Sequence, residues 1–126
     1  MSMALKMALM SACSLGVLAV AGAQDKLSGE TLFKSQCAAC HSAVEGGAIR
    51  QGPSLYAVLG RQAGVAPAMQ YSASFHQALD GKVWDEALLQ TWLEDPQEVA
   101  AETIMMYKQS DPEKRQAIID YLKTLH

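Results

Sequence analysis

Beyond residue 23 this chain of 126 residues has no cysteine other than Cys37 and Cys40, no basic excess, no internal repeat and no low-complexity segment. It also lacks any run with strand-like alternation. Each absence removes a class of function. A structural zinc site needs a second ligand knuckle, and no cysteine follows Cys40 to build one. A thioredoxin-like redox pair needs a strand before it and a βαβ setting, and neither is visible. Lys6 is the only basic residue before residue 24, so nine Lys and Arg face 13 Asp and Glu after it, a formal charge of −4. Nucleic acid and anionic membrane are therefore not implied partners. The apolar run from Met7 to Ala21 is short for a membrane span, and the residues after it turn polar at once.

Residues 1–23 instead read as a secretory signal. Lys6 supplies the positive start, the apolar run follows, and Ala21-Gly22-Ala23 fits the small-x-small cleavage rule. The expectation is an exported, periplasmic mature domain of residues 24–126, with no membrane span. A retained N-terminal anchor is the weaker alternative. Lipidation at Cys13 in Met10-Ser11-Ala12-Cys13 is weaker still, because the apolar segment continues past it through Val20. The remaining 103 residues suit one small domain. Such a chain buries a modest core, which a large rigid cofactor at its centre would help to hold together.

Cys37-Ala38-Ala39-Cys40-His41 supplies the spacing that covalent haem attachment needs. Two cysteines three residues apart lie on one side of a helical turn, so both thiols can add to the vinyl groups of one haem. The adjacent histidine then becomes the proximal iron ligand. Thioether bonds also remove the disulfide that this pair would otherwise form in an oxidising compartment.

Three amphipathic stretches read as helices. Ser28 can cap the first, whose apolar face includes Leu32, Phe33 and Cys37. Asp85 can cap the second, with Leu88, Leu89, Trp92 and Leu93 at helical spacing and Pro96 as its stop. Asp111-Pro112-Glu113 starts the third, followed by Ile118, Ile119, Leu122 and Leu125. Gly46 to Gly81 is punctuated by glycine and proline and reads as mostly loop. The expected fold class is therefore all-α, with long connecting loops. An electron carrier needs a second axial ligand, and Met105 and Met106 are the methionines on the C-terminal side. Composition alone leaves open whether either is a ligand or merely fills apolar space.

The layout from about Gly29 to Leu125 resembles a monohaem class I cytochrome c, including the mitochondrial type. The resemblance implies a small fold in which N- and C-terminal helices cross and a third helix and long loops wrap one covalent haem c. Gly29 and Phe33 match the crossing on one side, Ile118 and Tyr121 on the other. Gly52-Pro53-Ser54-Leu55 is similar to the family's Gly-Pro-x-Leu loop, in which the proline carbonyl accepts from the proximal histidine. Gly60-Arg61, Tyr71, Trp84 and Thr103 match positions that hold the haem propionates. Asp95-Pro96 through Thr103-Ile104-Met105 resembles the Asn-Pro to Thr-Lys-Met segment, which selects Met105 as the ligand.

Three departures carry expectations of their own. Ala101-Glu102 replaces the usual Pro-Gly before the ligand methionine, so the turn there must be made differently. Trp92 stands where the mitochondrial type has a tyrosine beside the methionine sulfur, and an indole offers only a donor. The lysine ring of the mitochondrial type is thin, which points to a redox partner with a neutral or basic face. His76 and His126 read as solvated surface residues. The implied function is a one-electron carrier between redox partner proteins, a donor and an acceptor, and not an enzyme. The alternatives are a haem enzyme or gas sensor with an open sixth position, and a dedicated electron-accepting subunit of a dehydrogenase.

Overall fold

The structure, a computed structural model, describes residues 28–126, and within them every helix starts at a side-chain cap. The signal segment, its cleavage site and Cys13 lie outside the described residues. Ser28 accepts from the Thr31 N–H and opens α1, Gly29–Gln36. Ser72 does the same for Phe75 at the head of α2, Ala73–Leu79. The Asp85 carboxylate takes the Leu88 N–H at 2.7 Å to start α3, Glu86–Glu94. Asp95 caps the single turn α4, Pro96–Val99, through the Gln97 N–H. Asp111 accepts from both Glu113 and Lys114 to open α5, Pro112–Leu122. Each such cap stabilises by about 1 kcal/mol, by satisfying N–H groups that the first turn leaves unpaired.

The three expected helices are thus present, and two more join them. α2 lies inside the stretch read as loop. Its signal was a serine cap followed by Phe75 and Leu79 four residues apart, both buried. Two apolar residues between glycine-rich flanks are too few to show a period. Pro96 ends α3 as expected and also begins α4, because its missing N–H costs nothing at a first helical position.

α1 and α5 cross at close range. A Cβ on Gly29 would stand 1.9 Å from the Ala117 carbonyl oxygen, so only glycine allows this approach. Phe33 and Tyr121 meet there with ring centroids 5.4 Å apart. Leu32, Ile118, Ile119 and Leu122 are buried between these helices, and α3 adds Leu89, Trp92 and Leu93. Arg115 is also buried, held by the Gln90 amide oxygen at 3.0 Å and the Gln109 carbonyl at 2.7 Å. The loops are tied to this frame by backbone bonds: Ala57 donates to Leu125, Gly60 to Trp84, and Trp84 to Arg61. Among the described residues there is no strand, only one antiparallel bridge between Gln62 and Val83.

Candidate functional site

The helical winding of α1 continues into the cysteine pair. The Cys37 N–H donates to Phe33 at 2.8 Å, and those of Cys40 and His41 donate to Cys37 at 3.1 and 3.0 Å. That tight winding brings both thiols and the imidazole to one crevice. Cys37 and Cys40 are free thiols. Burial, and then the neighbouring Cys40, pushes the Cys37 thiol up to about 11, so it is neutral at physiological pH.

His41 is 91 % buried, and its Nδ1 lies 2.7 Å from the Pro53 carbonyl oxygen. A carbonyl can only accept, so Nδ1 carries the proton and Nε2 keeps its lone pair. Burial lowers the His41 pKa; the bond to Pro53 opposes the shift and the Arg61 charge adds to it. The imidazole is therefore neutral at pH 7, with a fixed tautomer and a lone pair free to bind a metal. Gly52 makes the approach possible: a Cβ there would fall 2.2 Å from His41 Cε1.

Met105 comes to the same crevice on a strap of residues 103–109, held from several elements. Trp92 Nε1–H donates to the Met105 sulfur at 3.2 Å. The Gln97 side-chain amide donates to the Thr103 carbonyl at 2.6 Å, and its oxygen accepts from the Glu102 N–H. The Gln109 N–H donates to Leu93, Tyr107 Oη to the Gln36 side chain, and Lys108 pairs with Asp95. The turn at Ala101-Glu102 is made by Glu102 at φ +64°, a left-handed conformation braced by Gln97. Met106 is 77 % exposed, whereas Met105 packs against the core.

Arg61 is half-buried and donates to the carbonyls of Ser54 at 2.8 Å and Tyr56 at 3.3 Å. Burial depresses its pKa, yet a guanidinium remains charged at any ordinary pH. Tyr71 stacks on Phe75 at 4.5 Å, and Trp92 meets both Phe75 and Trp84 edge-on at 5.6 and 5.5 Å. All nine residues singled out from the sequence, Cys37, Cys40, His41, Pro53, Arg61, Tyr71, Trp84, Thr103 and Met105, line one crevice of about 680 Å³. His76 and His126 lie elsewhere, exposed, against Asp80 and the Lys123 carbonyl. Gln97, Phe75 and the Tyr107–Gln36 latch were not legible. A glutamine that braces a strap has no spacing rule to announce it.

This donor set fits a haem. Two free thiols, a neutral imidazole with a free lone pair, a thioether and one cation share an apolar crevice large enough for it. The comparisons agree. The cytochrome c family profile matches residues 27–126. The chain is 40 % identical over 102 residues to cytochrome c2 of Rhodopila globiformis, covering 80 % of this chain and 93 % of that one. It is 37 % identical over 110 residues to cytochrome c-550 of Novispirillum itersonii, covering 80 % and 98 %. With cytochrome c of Nigella damascena it shares 33 % over 105 residues, covering 82 % and 92 %. The chain belongs to the cytochrome c family. Membership brings one covalently bound c-type haem, with Cys37, Cys40 and His41 in the positions of its attachment motif.

Proposed function

We propose that this chain is a periplasmic one-electron carrier whose haem iron is held by His41 and Met105. The observation that carries the reading is the Trp92–Met105 contact: an indole N–H already fixes that sulfur inside the crevice that His41 lines. When bound, the haem supplies a reversible one-electron iron couple, and the protein supplies everything around it. Cys37 and Cys40 form the thioethers. His41 offers Nε2, with Pro53 fixing its orientation. Met105 offers a soft thioether that favours the ferrous state. Arg61, Tyr71, Trp84 and Thr103 hold the propionates.

Two retained protein ligands mean that little rearranges when the charge changes, and that no substrate has a free iron position. The braced strap supports a filled sixth position over an open one, since Gln97, Trp92 and Gln109 all restrain it. No helix among the described residues is long and apolar enough to cross a membrane. The secretory signal at residues 1–23 supports export.

Optical spectra of the ferric and ferrous holoprotein test the proposal. Low-spin iron that ignores carbon monoxide, with the weak red ferric band of thioether ligation, is the expected result. Met105→Ala should abolish that band and Met106→Ala should keep it. High-spin iron that takes up carbon monoxide in the native protein would refute the ligand pair and the carrier with it.

A further inference from the structure

Three methionines lie among the described residues, and solvent reaches them unequally. Met69 and Met105 are partly buried, whereas Met106 is 77 % exposed, more than any other large apolar side chain described. The Met105 sulfur is also engaged, by the Trp92 N–H at 3.2 Å. The Met106 sulfur lies 3.5 Å from the side-chain amide nitrogen of Gln97.

That nitrogen is already in use. It donates to the Thr103 carbonyl at 2.6 Å and, at a poorer distance of 3.4 Å, to the Met105 carbonyl. A primary amide has two N–H groups, and here they face three acceptors. The Met106 thioether is the weakest of the three as it stands.

We infer that Met106 is a site of reversible oxidation by peroxides, and that its sulfoxide acts on the strap through Gln97. The second half rests on the His41/Met105 reading above. In the step, a lone pair of the Met106 sulfur attacks one peroxide oxygen. The S–O bond forms as the O–O bond breaks, and the displaced hydroxide takes the proton left on the transferred oxygen and departs as water. Sulfur loses two electrons and the peroxide gains them. An apolar side chain thus becomes a polar one, with an oxygen that accepts far better than the thioether did. That oxygen takes the N–H held least well, the one shared with the Met105 carbonyl, and leaves the shorter bond to Thr103 in place. The backbone of Met105 loses a tie, so its thioether leaves the iron more often. A dithiol reductase reverses the change: two thiols become a disulfide and the sulfoxide oxygen departs as water.

The ferric holoprotein, treated with hydrogen peroxide at a dose that leaves the haem absorption intact, gives two readouts. Peptide mass spectrometry should place the first added oxygen, about 16 Da, on Met106, roughly tenfold ahead of Met69 and Met105. Once the peroxide is removed, imidazole should displace the thioether about threefold faster than in the untreated protein, the effect of losing one weak hydrogen bond. Loss of the red ferric band follows that exchange. Methionine sulfoxide reductases should restore the untreated rate. Met106→Leu keeps the bulk without the sulfur, and the same dose should leave its exchange rate unchanged. A first oxygen on Met105 or Met69 overturns Met106 as the site. A protein oxidised at Met106 that exchanges at the native rate, or a treated Met106→Leu protein that speeds up, overturns the route through Gln97. The ligand reading fails separately, if the untreated ferric protein has no red band to lose, and the mass readout stands apart from it.

Discussion

Replacing Trp92 with phenylalanine removes one N–H and leaves most of the ring. Trp92 is 93 % buried, and its Nε1 is 3.2 Å from the Met105 sulfur. A hydrogen bond contributes about 0.5–1.5 kcal/mol net, and a thioether is a weak acceptor, so the lower end applies. If Met105 binds the iron as proposed, the N–H draws on the same sulfur electron density that the iron would use, and ferric iron needs that density more. Losing the donor therefore stabilises the ferric state, by about 0.5 kcal/mol if much of the bond is felt in only one oxidation state. With ~59 mV per tenfold for one electron, the reduction potential should fall by roughly 20 mV. The smaller ring also leaves a void beside Phe75 and Trp84, which costs about 1–2 kcal/mol of stability. Trp92→Tyr restores a donor and should recover most of the potential. The assay is a spectroelectrochemical titration of the native and both variant holoproteins, with the red ferric band followed to show that the thioether stays bound. A Trp92→Phe protein with an intact band and an unchanged or higher potential would refute the reasoning.

Other substitutions probe the frame around the ligands. Gly52→Ala places a methyl 2.2 Å from His41 Cε1 and should destabilise the holoprotein by about 3 kcal/mol, seen as lost yield and a disturbed spectrum. Glu102→Gly relieves the left-handed turn, and after glycine's extra chain entropy the net gain of about 0.5 kcal/mol should raise Tm by ~2–4 °C; a lower Tm would argue against strain there. Lys108, mainly through its hydrogen bond, holds the Asp95 carboxyl below its usual range. A folded-state pKa that is depressed stabilises above the unfolded value near ~4, and that stabilisation is lost as pH falls through the folded value. The stability gap between native and Asp95→Asn proteins should therefore be largest at neutral pH and close in acid, as followed by acid unfolding.

Helix starts were legible because a cap and its first turn lie within four residues. Ser28, Asp85 and Asp111 act as their spacing predicts. α2 was not, because its stability comes from Phe75 and Leu79 packing into a core assembled from distant segments. Resemblance to the family carried Pro53, Arg61, Tyr71, Trp84 and Thr103, which no local rule would have gathered, and all five line the crevice. The turn at Ala101-Glu102 was flagged as unusual, but its solution needed coordinates: the Gln97 side chain that braces it is not an adjacent residue.

By itself the sequence determined the attachment chemistry, since thiol spacing and the neighbouring histidine are properties of one helical turn. It also determined that the protein is helical and acidic, with a core small enough for a cofactor to help hold it together. Composition alone left Met105 and Met106 open and the resemblance to the family selected Met105; the tertiary structure added the physical difference between them. The two are chemically identical and adjacent, and what separates them is burial and an indole N–H from thirteen residues away. The crevice itself was likewise invisible. Its lining is scattered from residue 36 to residue 122, and only folding brings those segments together.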